Sequence, residues 1–185
     1  MTGKRAPSES VRRASQLNTK IRLHNIVPVA IHAQRYDVDD EPQRGYKLEA
    51  QAVEWMRYQN AVGAQFGVSV ELFRGPEAQR VLLAKLEVAF RVFYALATPF
   101  SPEDEAFVPD YLRSAGWLHA WPYLRAEVQR LSSSLGLPAL VLPVLLAGQM
   151  GDIAVMRVAA GDLTTVTPAA PPVKKKRPAR AKAHP

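Results

Sequence analysis

The sequence contains no cysteine. Disulfides, thiolate zinc sites, iron–sulfur clusters and thiol nucleophiles are therefore excluded together, and the composition suits a reducing compartment. A long apolar run is also missing. The longest, residues 137–147, is eleven residues interrupted by Pro138 and Pro143, about half of the roughly 20 that a membrane-spanning helix needs. Residues 1–20 are polar and basic, without the apolar stretch of a secretory signal. The expectation is a cytoplasmic protein.

Catalytic constellations are equally scarce. There is no glycine-rich phosphate loop, and the serines at 132–134 have no glycine elbow and fall on the polar side of a helix pattern. The histidines are His24, His32, His119 and His184. His24 and His32 share a strand parity, but eight strand residues separate them by roughly 26 Å, too far to share a metal. Asp37, Asp39, Asp40 and Glu41 lack the glycine and terminal glutamate of a calcium loop and read as a solvated turn. No enzyme activity, metal or cofactor is expected.

Charge of one sign is abundant, but only at the ends. The net charge is +7. The last twelve residues carry +6 through Lys174, Lys175, Lys176, Arg177, Arg180 and Lys182, and the first twenty carry +4. Residues 21–173 therefore carry −3. Residues 1–20 read as a flexible basic segment, disordered or partly helical. Residues 149–185 read as a weakly structured segment followed by a proline-rich, disordered basic tail. Such a tail suits nucleic acid or an anionic surface, and it equally suits plain solubilisation.

Between the tails, strand patterns precede helix patterns. Ala64, Phe66, Val68, Val70 and Leu72 alternate with polar or small residues, a period of two. Gly75-Pro76 punctuates a turn, and Leu82, Ala84, Leu86, Val88, Phe90, Val92 and Tyr94 line one face of a second strand. The pair reads as an antiparallel hairpin. On its other face Leu83, Ala89 and Phe93 mix with Lys85, Glu87 and Arg91, so a sheet apolar on both faces, needing cover on both, is expected. Upstream, residues 21–36 form a strand candidate in which Pro28 marks an edge or bulge. In residues 46–56 the apolar phase switches at Val53, which predicts a bulge or crossover. Ser101-Pro102-Glu103-Asp104 is a capped helix start, with an interruption expected near Pro109 or an end by Gly116. A second helix is expected to start at Pro122, with Leu124, Val128, Leu131 and Leu135 as its stripe and Gly136 and Pro138 as its stop. Four strands followed by helices make an α+β domain.

The segment Trp121-Pro122-Tyr123-Leu124-Arg125, with Glu127 close behind, resembles the aromatic-Pro-Tyr-x-Arg-Glu motif of the SecB export-chaperone family. Leu135-Gly136-Leu137-Pro138-Ala139-Leu140-Val141-Leu142-Pro143-Val144 is similar to that family's Gly, Pro, Leu and Pro-Val stretch after its long helix. The resemblance covers roughly residues 21–147, within a domain of 21–148. It implies a four-stranded antiparallel sheet packed with a long helix, a homotetramer built as a dimer of dimers, and apolar grooves that hold unfolded polypeptides without ATP. Ala126 stands at the motif's acidic position, and Leu145-Leu146 replace the Asn-Phe after Pro-Val. The basic tail differs from the acidic surfaces and tail that dock SecA, so SecA docking stays open. These departures look closer to the solitary SecB-like chaperones that guard antitoxins in toxin–antitoxin systems.

By resemblance, Tyr46, Leu48 and Ala50 together with Leu140, Leu142, Val144, Leu145 and Leu146 would wall a peptide groove; the same residues could instead be core. Trp121, Pro122, Tyr123, Arg125 and Glu127 are expected to be structural. Pro122 would fix the helix start, Tyr123 would be worth about 2–4 kcal/mol if buried, and Arg125 would reach a carboxylate or carbonyl. A different class of function, a SecB-fold adaptor with one fixed partner and a tail on nucleic acid, fits the same residues.

Overall fold

The computed structural model describes residues 9–36, 45–75, 79–145 and 153–158. In chain order it contains α1 (Glu9–Leu17), β1 (Ile21–Arg35), β2 (Gly45–Ala50), β3 (Val53–Arg57), β4 (Ala61–Arg74) and β5 (Val81–Leu96). Then follow α2 (Pro102–Tyr111), a π-helical turn (Leu112–Gly116), α3 (Trp117–Ser134) and β6 (Val155–Arg157). The sheet order is β1-β5-β4-β3-β6, with β2 also paired to β4.

The β4–β5 hairpin is the centre. Its even-numbered residues share one face because the antiparallel register keeps Phe66 opposite Phe90 and Val68 opposite Val88. On that face Val62, Phe66, Val70, Leu86, Val92 and Tyr94 are completely buried. The opposite face is a polar ladder: Arg91 donates to Gln65 at 3.1 Å, and Lys85 pairs with Glu87 at 2.7 Å. The expectation of a second apolar face is thus corrected. Leu83 is tucked away beside the register shift at Leu72/Phe73, and Phe93 is covered locally by Tyr58, ring centroids 6.0 Å apart.

The expected four antiparallel strands become six in a mixed sheet. The phase switch at Val53 is a real break: β2 and β3 both pair with β4, antiparallel, on either side of Gln51, whose N–H donates to the Gly67 carbonyl at 2.9 Å. The sixth strand, β6, pairs parallel to β3. It is too short for a periodicity signal. β1 is the long edge strand, and its register against β5 shifts between Pro28 and Ala30, where the proline cannot donate to the ladder.

The segment before β1 is partly helical among the described residues, one of the two forms expected of it. Within residues 1–20, α1 packs against α2, and Ala14 and Leu17 belong to the core.

Helix α2 begins as expected. Ser101 accepts from the Asp104 N–H at 3.2 Å, and the Asp104 carboxylate accepts from the Ser101 N–H at 2.9 Å, a reciprocal capping box. Lys20 adds an ion pair to Asp104 at 2.6 Å, tying the end of the N-terminal segment to the helix start. Helix α2 runs through Pro109 and ends at Tyr111, before Gly116, as the second of the two expectations has it, and no new helix starts at Pro122; both prolines lie inside helices. Burial explains this. Trp117, Ala120, Trp121, Leu124, Val128 and Leu131 make one buried stripe through the proline, and that packing outweighs one lost backbone bond. The π-helical turn lies where Gly116 touches Phe66; a methyl group there would sit 2.6 Å from the ring. Gly136, at φ 71°, ends the helix as expected.

Candidate functional site

After α3 the chain turns back as an extended ribbon, 137–145, without strand pairing. Its start is pinned by Ser132, which is fully buried rather than on the polar side of the helix. The Ser132 hydroxyl accepts from the Leu140 N–H at 2.8 Å, and the Ser132 carbonyl from the Leu137 N–H at 3.1 Å. Arg35 of β1 donates to the Leu135 carbonyl at 2.9 Å. Farther along, the Trp121 indole N–H donates to the Pro143 carbonyl at 3.0 Å. An extended chain alternates its side chains. Leu140 and Leu142 therefore enter the core and Val141 between them is 49% exposed; past Pro143 the alternation ends, and Val144 is 65% exposed.

Between this ribbon and α3 lies an open groove of about 390 Å³. Leu118, Trp121 and Pro122 form its helix wall, Val144 and Leu145 its ribbon wall, and Arg125 contributes a cation. Leu118 is 41% exposed although it sits on a helix rich in buried neighbours. Arg125 has no polar partner among the described residues, contrary to the expectation that it reaches a carboxylate or carbonyl. Next to the groove, Tyr123 is half exposed and leans on Phe90, ring centroids 5.9 Å apart. Tyr123 is thus not the buried anchor expected. Glu127 grips Arg130 through both carboxylate oxygens, one turn along the same helix.

Of the residues expected to wall one groove, the structure brings Val144 and Leu145 together with the motif residues Trp121, Pro122 and Arg125. Leu140 and Leu142 are corrected to core. Tyr46, Leu48 and Ala50 lie on the helix side of β2, opposite Leu72, Val70 and Val68, with Tyr46 exposed and the other two half buried against the core. None of them lines the groove beside α3. Leu146, the acids at 37–41, His184 and the basic tail lie outside the described residues.

A second apolar area borders β1. Register places Pro28 and Ile31 on the same sheet face as Phe90 and Val88, but Ile31 remains 44% exposed and Leu23 47%. The helices cover the sheet's centre and stop short of this margin.

The buried polar groups are held for structure. The Tyr94 hydroxyl meets His119 Nδ1 at 3.2 Å, and burial holds His119 below its ordinary value. Burial pushes the neighbouring Tyr111 up to about 12. His24 and His32 are exposed on β1, and among the described residues no group of three or more acidic or histidine side chains could hold a metal. No described helix is long and apolar enough to cross a membrane.

A mixed sheet carrying one long broken-and-rejoined helix on a single face, followed by an extended ribbon, is the SecB-like fold. The chain matches the structure of the SecB-like chaperone Rv1957 of Mycobacterium tuberculosis, solved in complex with a ChAD peptide from the antitoxin HigA1 (Rv1956), with a TM-score of 0.63 and 19% identity. The match covers 74% of this chain and 99% of that one. A protein of unknown function from Streptococcus agalactiae aligns with a TM-score of 0.37 at 8% identity, over 68% of this chain and 98% of that one. No family model and no curated protein matches the sequence.

Proposed function

We propose that this protein is a molecular chaperone that holds non-native polypeptides without ATP, and that an antitoxin is among its clients. The observation that carries the reading is the open apolar groove between α3 and the ribbon, walled by Leu118, Trp121, Pro122, Val144 and Leu145 on a SecB-like fold. Apolar burial scales with area and demands no particular partner geometry, which is what a holder of unfolded chains needs. The structural neighbour binds an antitoxin-derived peptide, which supports the antitoxin as client. Tyr46, on the helix side of β2, extends the apolar surface at the other end of the sheet.

The test is suppression of aggregation of several unrelated chemically unfolded proteins, beside co-expression with an antitoxin encoded near its gene. Suppression of all of them supports a general holder. Stabilisation of one partner and no other would replace this reading by an adaptor with a fixed partner.

Assembly is part of the proposal. Leu23 and Ile31 on the helix-side face of β1 are exposed beside a strand edge that no described strand pairs with, and a second copy would cover them. The expected assembly is a dimer or a dimer of dimers. Light scattering giving a stable monomer near 20.5 kDa at micromolar concentration would remove it.

A further inference from the structure

β6 is three residues long, yet it is read by the rest of the chain in detail. Its ladder to β3 sets Val155 beside Val53 and Arg157 beside Trp55. The Val53 N–H donates to the Ala154 carbonyl at 2.8 Å, and the Val158 N–H to the Trp55 carbonyl at 2.9 Å. Arg113 of the π-helical turn donates to the Ile153 carbonyl at 3.3 Å.

The side chains alternate. Ile153 and Val155 pack on the core, whereas Ala154 and Met156 are exposed. Arg157 lies over the Trp55 ring, 5.5 Å from its centroid, with Nη2 2.9 Å from Glu105 Oε1. β3 would be the edge of the sheet without this segment, yet Val53 and Trp55 are 0% and 3% exposed.

A three-residue parallel pairing is weak on backbone bonds alone. Two apolar seats and one cation seat select the segment that fills it. The cation seat also tolerates vacancy, because Arg57 stands 3.4 Å from the same Glu105 carboxylate and stays when Arg157 leaves.

We propose that the edge of β3 is an exchangeable strand slot. Residues 153–157 close it in the resting chain, and an incoming client segment of the pattern apolar-x-apolar-x-arginine replaces them. Main-chain bonds supply affinity, and the seats for alternate side chains supply selectivity. The chain's own segment acts as a competitor, lowering apparent affinity by the fraction of molecules in which the slot is open. The identity of the incoming segment rests on the polypeptide-holding reading; the exchange itself does not.

The test uses the full chain and a fluorescein-labelled peptide of residues 151–160, read by anisotropy. Arg157→Glu sets a carboxylate against Glu105 and opens the slot, so the peptide should bind about tenfold tighter than to the wild type. Glu105→Gln in the Arg157→Glu background should erase the preference for this peptide over one carrying Arg157→Gln. Equal affinity for the wild type and Arg157→Glu overturns the proposal. So does equal binding of the two peptides by Arg157→Glu, a variant at a position 57% exposed and paired at the surface. Aggregation suppression by the same preparations is read separately. Its absence with intact peptide exchange would remove the holding reading and leave the slot, whereas the reverse would remove the slot alone.

Discussion

The two sides of α3 and its ribbon are both apolar, but among the described residues only one has a partner. Trp117, Leu124 and Val128 face inward with Leu140 and Leu142, all in the core. Leu118, Pro122, Val141 and Val144 face outward and stay exposed. Composition does not separate the two sets; phase does. An apolar residue in a helix or ribbon becomes core or docking surface according to which neighbour its rotation meets. The contrast therefore gives opposite expectations for like substitutions.

The largest effect belongs inside. Trp117→Ala removes a fully buried indole stacked edge-on to Phe66, centroids 5.3 Å apart, and should cost about 3–5 kcal/mol. Leu142→Gln should cost several kcal/mol by burying an unpartnered amide. Chemical denaturation measures both. A Leu142→Gln protein as stable as wild type would return that residue to the groove.

Trp121 joins the two sides, since its indole N–H holds the ribbon at Pro143. Trp121→Phe keeps most of the packing and loses the bond, so about 1 kcal/mol should go, with faster amide exchange along the ribbon. A loss of comparable size, but dependent on pH, is expected at the start of α2. Lys20, and then Ser101, hold the Asp104 carboxyl below the ordinary carboxylate range against the opposing effect of burial. A carboxyl whose folded value is depressed stabilises fully above its unfolded value of about 3.9, and that contribution fades as pH falls through the folded value. Asp104→Asn should therefore be less stable than wild type at neutral pH by about 1 kcal/mol, and the gap should close in strong acid. Melting curves from neutral pH to below pH 3 decide it.

The smallest effects on stability belong outside. Tyr123→Ala gives up a half-exposed ring pair worth about 0.5–1.5 kcal/mol. Leu118→Gln and Val144→Gln should change stability by no more than about 0.5 kcal/mol, while weakening capture of unfolded clients. Unchanged capture with unchanged stability would strip the groove of its role.

How far the sequence told this in advance depends on the signal each element carries. The β4–β5 hairpin was legible because strict alternation over a dozen residues admits one register. The Ser101 cap and the Gly136 stop were legible because capping chemistry is local. Pro122 misled for the opposite reason: a proline at a helix start and a proline carried inside by buried tryptophans look alike until Phe66 is known to lie beneath Gly116. The ribbon reads as extended from its pattern, but of its expected groove residues Val144 and Leu145 line the groove while Leu140 and Leu142 take the alternative place, in the core. Alternation says that two faces exist, not which one meets the core. β6 gave no signal, since three residues cannot establish a period, and Arg157 and Glu105 lie too far apart in the chain to be paired by spacing.

The π-helical turn at Leu112–Gly116 also fixes an angle. Counted at 100° per residue, the face holding Asp104, Val108 and Tyr111 and the stripe from Trp117 to Leu131 would point nearly opposite ways along one regular helix. The wide turn takes up one additional residue and brings the two faces to within roughly a right angle. The helix thus works as a keyed shaft. Removing that additional residue would restore a regular helix with both faces unmoved, whereas removing one residue just after the turn, with the turn kept wide, would rotate the second half by about 100° and carry its groove side toward the sheet.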